Sequence, residues 1–311
     1  MSPDTLFGGR RYYSFNRHVK QTFGCAVHKI PVDAGFTCPN RDGTLGTGGC
    51  LYCDDRGSGA DAIDRSLCLM DQIRAGRERL RRRFHARKFL VYFQAFTNTY
   101  GPLDRLAALY SEALESEDIV GLSIGTRADC LPGEVMDLLL DFAARSYLWV
   151  EIGLQSSNER TLRLIRRGHG FPCFLEAARK LVDRGIRVCA HVIFGLPGEG
   201  RCEMLETVKT VKELGIQGIK FHPLHVLRGT AAEEMYIRKE LEPLTLEAYV
   251  SVLADSLEIL PPDVVIHRLT ANRPESVLVA PHWVADKNRV IQALENEMEK
   301  RNSLQGARCA R

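Results

Sequence analysis

The chain has 311 residues, of which 45% are hydrophobic and 26% charged, with a net charge of +3 at pH 7. That length holds one large α/β domain or a domain with an appendage, and the composition excludes a disordered or low-complexity protein. No apolar run reaches the length of a membrane span, and the N-terminal stretch MSPDTLFGGRRYYSFNRHVK lacks the apolar core and cleavage site of a signal peptide, so a cytoplasmic location is expected.

Residues 1–27 form an N-terminal basic segment that includes Arg10, Arg11, Arg17 and Lys20. Probable strands follow at His28–Ala34, Lys88–Phe96, Ile119–Thr126, Leu148–Gln155, Arg187–Leu196, Gly218–Leu227 and Asp263–Thr270, each a short apolar or β-branched run. Between them lie amphipathic helical stretches. Leu103–Glu115 puts Leu106, Leu109, Tyr110 and Ala113 on one stripe, and the segment opening at Pro132 aligns Val135, Leu138, Leu139 and Phe142. In Arg65–Lys88 the stripe Met70, Ile73, Leu80 and Phe84 is expected to face the core. Strand–helix alternation predicts βαβ units and a parallel sheet, as a full or partial barrel or an open doubly wound sheet, with function at the C-terminal strand ends. Residues 28–260 make up that body. Residues 261–311 form an extension with one strand, a terminal helix from Ala285 and a flexible tail.

Charge is unevenly spread. Arg74–Lys88 carries eight Arg or Lys and one Glu, so it nets +7 and the rest of the chain −4. Such a run is either a solvated helix face or the footprint of a polyanionic partner, with Arg74, Arg77, Arg81, Arg82, Arg83 and Lys88 as the contacts.

Seven of the ten cysteines are scattered through predicted elements and termini and read as small buried apolar residues. The other three, Cys38, Cys50 and Cys53, share the loop CPNRDGTLGTGGCLYC after the first strand. Three thiolates on one loop can hold a zinc ion with a fourth ligand, hold an iron–sulfur cluster, or exchange disulfides through Cys50 and Cys53. Zinc would recruit Cys25 or His28, both at the far end of the first strand. A redox CxxC opens a helix, whereas this one sits deep in a glycine-rich loop. A cluster with three protein ligands leaves one iron open for chemistry, and the loop glycines let backbone wrap closely around it. Tyr52 would shield one face.

The loop resembles that of radical SAM enzymes, in which three cysteines hold a [4Fe–4S] cluster and S-adenosylmethionine (SAM) chelates the open iron. Its CX11CX2C spacing departs from the commoner CX3CX2C and is similar to the YhcC/YtqA-type bacterial branch, akin to the Elongator catalytic subunit and coproporphyrinogen dehydrogenase. RRYYSFNRHVKQTFG, AGFTCPNRDGT, EIGLQS, RRGH, GLPGE, IKFHPLHVLRGT, VVIHRLTANRP and AP.W...K extend the likeness over nearly the whole chain. The resemblance implies a partial (β/α)6 TIM-like barrel with a C-terminal strand and helix extension.

In LWVEIGLQ, period-two alternation places Trp149, Glu151, Gly153 and Gln155 on one face. A Glu and a Gln facing a barrel interior conflict with burial unless a polar ligand or neighbouring backbone satisfies them. The resemblance carries cofactor roles onto Gln155 and Arg167, with Arg suited to a methionyl carboxylate. His191 stands where relatives have an acidic ribose-binding residue, and a buried, satisfied histidine is the other reading. Gly195 opens a GLPGE turn that resembles the adenine-contacting turn. Gln94 and Asn98 occupy the place of the amino-group-binding GGE motif, which is absent. Thr126, Arg127, Asp129 and His222 are second-tier candidates for the cavity wall.

The expected chemistry is one-electron reduction of the cluster by a donor such as flavodoxin or ferredoxin, then formation of a 5′-deoxyadenosyl radical that abstracts hydrogen. Relatives sharing the EIGLQS, RGH and GLPGE pattern include enzymes acting on the wobble uridine of tRNA, so a tRNA substrate is expected, held by the Arg-rich helix and RLIRRGH. A radical SAM enzyme for a small molecule or protein, and a zinc-stapled nucleic-acid binder, are the alternatives.

Overall fold

The computed structural model describes residues 6–57, 63–271 and 273–309. Six strands alternate with helices: β1 (Val27–Val32), β2 (Lys88–Phe93), β3 (Ile119–Thr126), β4 (Tyr147–Gln155), β5 (Arg187–Phe194) and β6 (Gly218–Pro223). A two-residue strand β7 (Val226–Leu227) follows, then β8 (Val265–Arg268) and β9 (Leu278–Ala280). Seven of them form one parallel sheet in the order β1-β2-β3-β4-β5-β6-β8, while β7 and β9 pair antiparallel beside it. The sheet is a half-barrel, the six-unit architecture expected from the sequence with the C-terminal strand β8 added as a seventh member.

The helices, most of them on the outer face, are α1 (Phe15–Phe23), α2 (Leu69–Phe84), α3 (Leu103–Ala113), α4 (Gly133–Arg145), α5 (Glu159–Leu164), α6 (Phe171–Asp183), α7 (Arg201–Glu213), α8 (Ala231–Ile237), α9 (Leu246–Ile259) and α10 (Lys287–Lys300). Side chains alternate along each strand, so one face can be wholly apolar. That face carries Phe89, Val91, Phe93, Leu148, Val150, Ile152, Val188, Ala190 and Val192, packed on Ile73, Tyr110, Phe142, Phe174 and Val208 from the helices. Fully burying each large apolar side chain contributes about 1.5–3 kcal/mol, so this layer supplies the bulk of the hydrophobic stabilisation.

Two features differ from the sequence reading. Helix α2 buries Leu69, Gln72, Ile73 and Gly76, whereas Phe84 is 49% exposed. Gly76 is the reason: a Cβ there would lie 2.5 Å from Ile30 Cγ2, so the helix approaches β1 closely at its middle and its Arg-rich end stands off. The C-terminal segment is not a flexible tail through Cys309. The Gln305 side chain donates to Pro261 O (2.7 Å) and Val264 O (2.8 Å) and accepts from Tyr13 N–H (2.9 Å), tying the segment to the start of β8 and the N-terminus. Ala310 and Arg311 lie outside the described residues.

The inner face is built in layers. At the N-terminal strand ends, Val27, Leu90, Trp149, Cys189 and Val265 meet Val19, with Phe15 and Phe23 packed against them, so α1 plugs the bottom. One level up the lining is polar. The Glu151 carboxylate accepts from Lys29 Nζ (2.5 Å), His191 Nε2 (2.6 Å), Lys220 Nζ and Ser123 Oγ, and its side chain is fully buried. Lys220 also donates to Tyr92 Oη (3.0 Å), and Lys29 Nζ lies 3.2 Å from His267 Nδ1. Burial opposes the Glu151 charge, but Lys220 and Lys29 outweigh it and hold the carboxyl well below its ordinary range. Burial, with Lys220 next, pushes His191 down to about 4, so it sits as a neutral imidazole donating to Glu151.

Removing Glu151 would strand two buried ammonium groups, which costs about 3–5 kcal/mol. Glu151→Gln is expected to lose that much in urea unfolding at pH 7. Because the native carboxyl is depressed, its contribution is complete above the unfolded carboxylate range and is lost as pH falls through the native value, so the gap between wild type and variant narrows in strong acid.

Candidate active site

The cysteine loop leaves β1 at the C-terminal end of the sheet and is pinned by its own turns. Arg41 and Asp42 N–H groups donate to Cys38 O (2.8 and 3.1 Å), Gly49 N–H to Asn40 O (2.8 Å) and Cys53 N–H to Cys50 O (2.9 Å). Two further bonds fasten it to the barrel: Leu51 N–H to Ile165 O (3.0 Å), and Ala232 N–H to Leu51 O (3.1 Å). Asn40 Nδ2 adds a bond to Arg166 O (2.6 Å).

This fixes Cys38, Cys50 and Cys53 on the wall of one cavity that also takes Gln94, Thr126, Arg127, Glu151, Gly153, Gln155, Arg167 and His191 from the ends of four neighbouring strands and the β4–β5 connection. The cavity opens to solvent. Among the described residues the one trio of potential ligand atoms within 4.8 Å of each other is Glu151, Cys189 and His267. Both Glu151 oxygens there already accept from ammonium groups, which opposes a cation. The three loop thiols are spaced more widely than that, whereas thiolates on a single tetrahedral zinc at about 2.3 Å would lie about 3.8 Å apart.

Each loop thiol has a guanidinium near it. Arg167 Nη1 points at Cys50 Sγ (3.8 Å), and Asn40 Nδ2 approaches the same sulfur at 3.5 Å. Burial works against the Cys50 thiolate, yet Arg167 and then Arg127 outweigh it and hold the thiol below its ordinary value. Arg127, clamped by Asp129 through two bonds (2.9 and 2.7 Å), lies within Coulombic reach of Cys38 and Cys50. Arg41 bonds Cys53 O and Asp54 O (2.8 and 2.7 Å), and after the opposing effect of burial Cys53 is the largest influence raising its affinity for the proton.

Gln155 does not continue the strand's alternation. It adopts φ +68°, and the β4–β5 register shifts between Gly153 and Gln155. The kink folds Gln155 and Arg167 back over Gly153, where a Cβ would lie 2.5 Å from Gln155 Nε2 and 2.7 Å from Arg167 Nη2. Arg167 Nη2 donates to Gly153 O (2.8 Å). Three buried donors of the wall, Gln94 Nε2, Arg127 Nη1 and Arg167 Nε, have no partner among the described residues, an arrangement that suits an anionic polar ligand.

Other candidates sit elsewhere. Asn98 lies behind the lining with its Nδ2 bonded to Ala95 O (3.0 Å) and Gly125 O (2.9 Å), so it braces the wall. Gly195 is outside the lining, its N–H directed at Met204 Sδ (3.3 Å). Thr126 pairs with Thr99 (2.5 Å), and His222 stands one level above Lys220 with its ring 5.7 Å from that of His191. Glu151 and His191 reach the cavity but are engaged with each other. The Arg-rich helix end lies at the opposite, N-terminal strand ends: Arg77 and Arg81 grip Asp118 (3.1 and 2.7 Å), Arg74 pairs with Asp71, and Lys88 lies over the Phe23 ring. Arg82 and Arg83 are exposed beside them. Sequence reasoning missed Lys29, Ser123, Lys220, Arg41 and Asn40. Period-two alternation in the first and sixth strands carries the signal for both lysines, because it puts them on the same face as Glu151.

The profile of the Radical SAM superfamily matches residues 41–211, and that of the Radical_SAM C-terminal domain matches residues 216–300. The chain is 44% identical to the protein YtqA of Bacillus subtilis, over 96% of this chain and 92% of that one. It is 30% identical to the tRNA uridine(34) acetyltransferase of Methanocaldococcus infernus, over 61% of this chain and 34% of that protein. Among solved structures, archaeal Elp3 from Methanocaldococcus infernus superposes with a TM-score of 0.68 at 22% identity, covering 90% of this chain and 64% of that chain, a likeness of fold. No helix among the described residues is long and apolar enough to cross a membrane. With the half-barrel, the thiol-bearing loop and both profiles in agreement, the chain belongs to the radical SAM superfamily, whose enzymes work with a [4Fe–4S] cluster and S-adenosylmethionine.

Proposed function

We propose that this enzyme remodels the side chain of the wobble uridine in tRNA. When bound, the reduced cluster and S-adenosylmethionine supply a 5′-deoxyadenosyl radical for hydrogen abstraction, the electron coming from a donor such as flavodoxin or ferredoxin. The chain's own residues prepare the seat. Cys38, Cys50 and Cys53 provide the thiolates, and Arg41, Arg127 and Arg167 offset their charge. Gln94, Arg127 and Arg167 carry the donors free to meet a methionyl carboxylate, and Gln155 lies beside them over Gly153.

The observation that carries the RNA reading is a pair of exposed arginines beside the cysteine loop, Arg166 and Arg163, the latter 3.8 Å from Glu159. Arg163 and Arg166 flank the stretch to which the cysteine loop is stapled, through Ile165 O and Arg166 O. The likeness to a tRNA uridine(34) acetyltransferase supports the same substrate. RNA lying across these arginines would bring a splayed-out base to the C-terminal strand ends. The Arg-rich end of α2, at the other end of the barrel, is given no part in delivering it.

Three outcomes are expected. Gly153→Ala presses on Gln155 and Arg167, so calorimetric affinity for S-adenosylmethionine falls about tenfold while iron content is unchanged. Replacing Arg163 and Arg166 by Gln weakens tRNA binding and makes the log–log salt dependence shallower by about 2, whereas the same change at Arg82 and Arg83 leaves the slope as it was. Mass spectrometry of tRNA nucleosides from a deletion strain should reveal a changed wobble-uridine profile. An unchanged profile would discard the RNA substrate and leave the radical chemistry standing.

A further inference from the structure

The inner face of the half-barrel carries more positive charge than its one carboxylate can match, and the excess is concentrated on its last strand. In β8 the ladder to β6 pairs Ile219 with Ile266 and then Lys220 with Arg268, skipping one residue of β8. Such a bulge turns two consecutive side chains to one side of the sheet. His267 points inward: its ring packs on Trp149 and Phe15 (centroids 4.4 and 4.5 Å), and its Nδ1 lies 3.2 Å from Lys29 Nζ. Arg268 shares the face of its ladder partner Lys220, whose ammonium group meets Glu151 and Tyr92. Arg268 therefore faces the lumen at the level of Lys220.

Glu151 is the one carboxylate in that layer, and it is fully occupied by Lys29 and Lys220. The Arg268 guanidinium makes no hydrogen bond or ion pair with any described residue, and the residue is exposed. His222, two residues beyond Lys220 on the same face, stands beside it. Burial, with Arg268 the next influence, keeps His222 well below its ordinary value, so the imidazole is neutral and available to donate a hydrogen bond. Tyr92 and Glu151 lie within Coulombic reach of Arg268, which places the guanidinium among lumen groups.

We propose that Arg268, with His222, forms an anion-binding subsite in the lumen that receives a phosphate or carboxylate group of the substrate. An arginine fork binds either anion through paired, charge-assisted hydrogen bonds, and a ligand charge seated there would neutralise the surplus left by Lys29, Lys220 and Arg268 around one Glu. The subsite does not depend on RNA being the substrate, since a carboxylate-bearing small molecule would use it equally.

The test is calorimetric titration of the full-length protein at low salt with uridine 5′-monophosphate, succinate and uridine. One of the two anions should bind and uridine should not. Binding of the monophosphate alone identifies phosphate as the recognised group, and binding of succinate alone identifies carboxylate. Arg268→Gln should weaken that affinity about tenfold to a hundredfold, while Arg82→Gln leaves it unchanged. The wild-type affinity should also fall as salt is raised, a readout that holds even should the Arg268 variant fail to fold. Absence of binding by either anion, equal binding of uridine and its monophosphate, a salt-independent affinity, or a folded Arg268→Gln protein that binds like wild type would each overturn the subsite. Loss of the subsite would leave the salt slope of tRNA binding at Arg163 and Arg166 untouched, so the two ideas fail separately.

Discussion

A single buried carboxylate organises the interior of this half-barrel. Glu151 on β4 accepts from Lys29 on β1, Ser123 on β3, His191 on β5 and Lys220 on β6, so one side chain reaches strands on both sides of its own. An unpaired charge in that place would cost several kcal/mol, and an unpaired lysine nearly as much. Together they form a set that is stable only when every member is present. The consequence is architectural: apolar residues and α1 seal the bottom, the ion network forms the middle, and the space above it is left for ligands.

The cavity over that network has its own electrostatic logic. Three thiols brought together would repel once ionised, and burial of Cys50 would oppose ionisation altogether. Arg167, Arg127 and Arg41 reverse this, each fixed by a second interaction: Arg167 on Gly153 O, Arg127 on Asp129, Arg41 on Cys53 O and Asp54 O. The charge of the loop thiolates is thus offset by cations that belong to the barrel and to the loop itself. Arg127 Nη1 and Arg167 Nε are left without a partner among the described residues on the same wall.

Much of this was legible in the residues, and the misses have physical causes. All seven strands of the sheet stand where period-two and apolar-run patterns put them, because burial on one face dictates those patterns. The thiol loop was legible from its spacing and its glycines. A Glu facing a barrel interior was visible as a conflict, yet its resolution lay in Lys29 and Lys220, residues over 60 positions away on strands whose own lysines looked like ordinary polar alternation. Gln155 broke the alternation through a left-handed backbone that no propensity announces. In the α2 stripe Ile73 is buried and Met70 and Leu80 pack against the core as expected, whereas Phe84 stands out because the close approach at Gly76 leaves the helix end away from β1. Asn98 and Gly195 were placed by analogy of position, and hydrogen bonding to Gly125 O and a turn against Met204 claimed them instead.

The central claim is that Cys38, Cys50 and Cys53 together hold one iron–sulfur cluster with a corner open to S-adenosylmethionine. Anaerobic reconstitution followed by iron and acid-labile sulfide analysis, with electron paramagnetic resonance of the dithionite-reduced protein before and after adding S-adenosylmethionine, addresses it directly. Iron and sulfide in equal amounts, and a cluster signal that changes when the nucleoside is added, are expected. Zinc without sulfide, or a signal indifferent to S-adenosylmethionine, would contradict it.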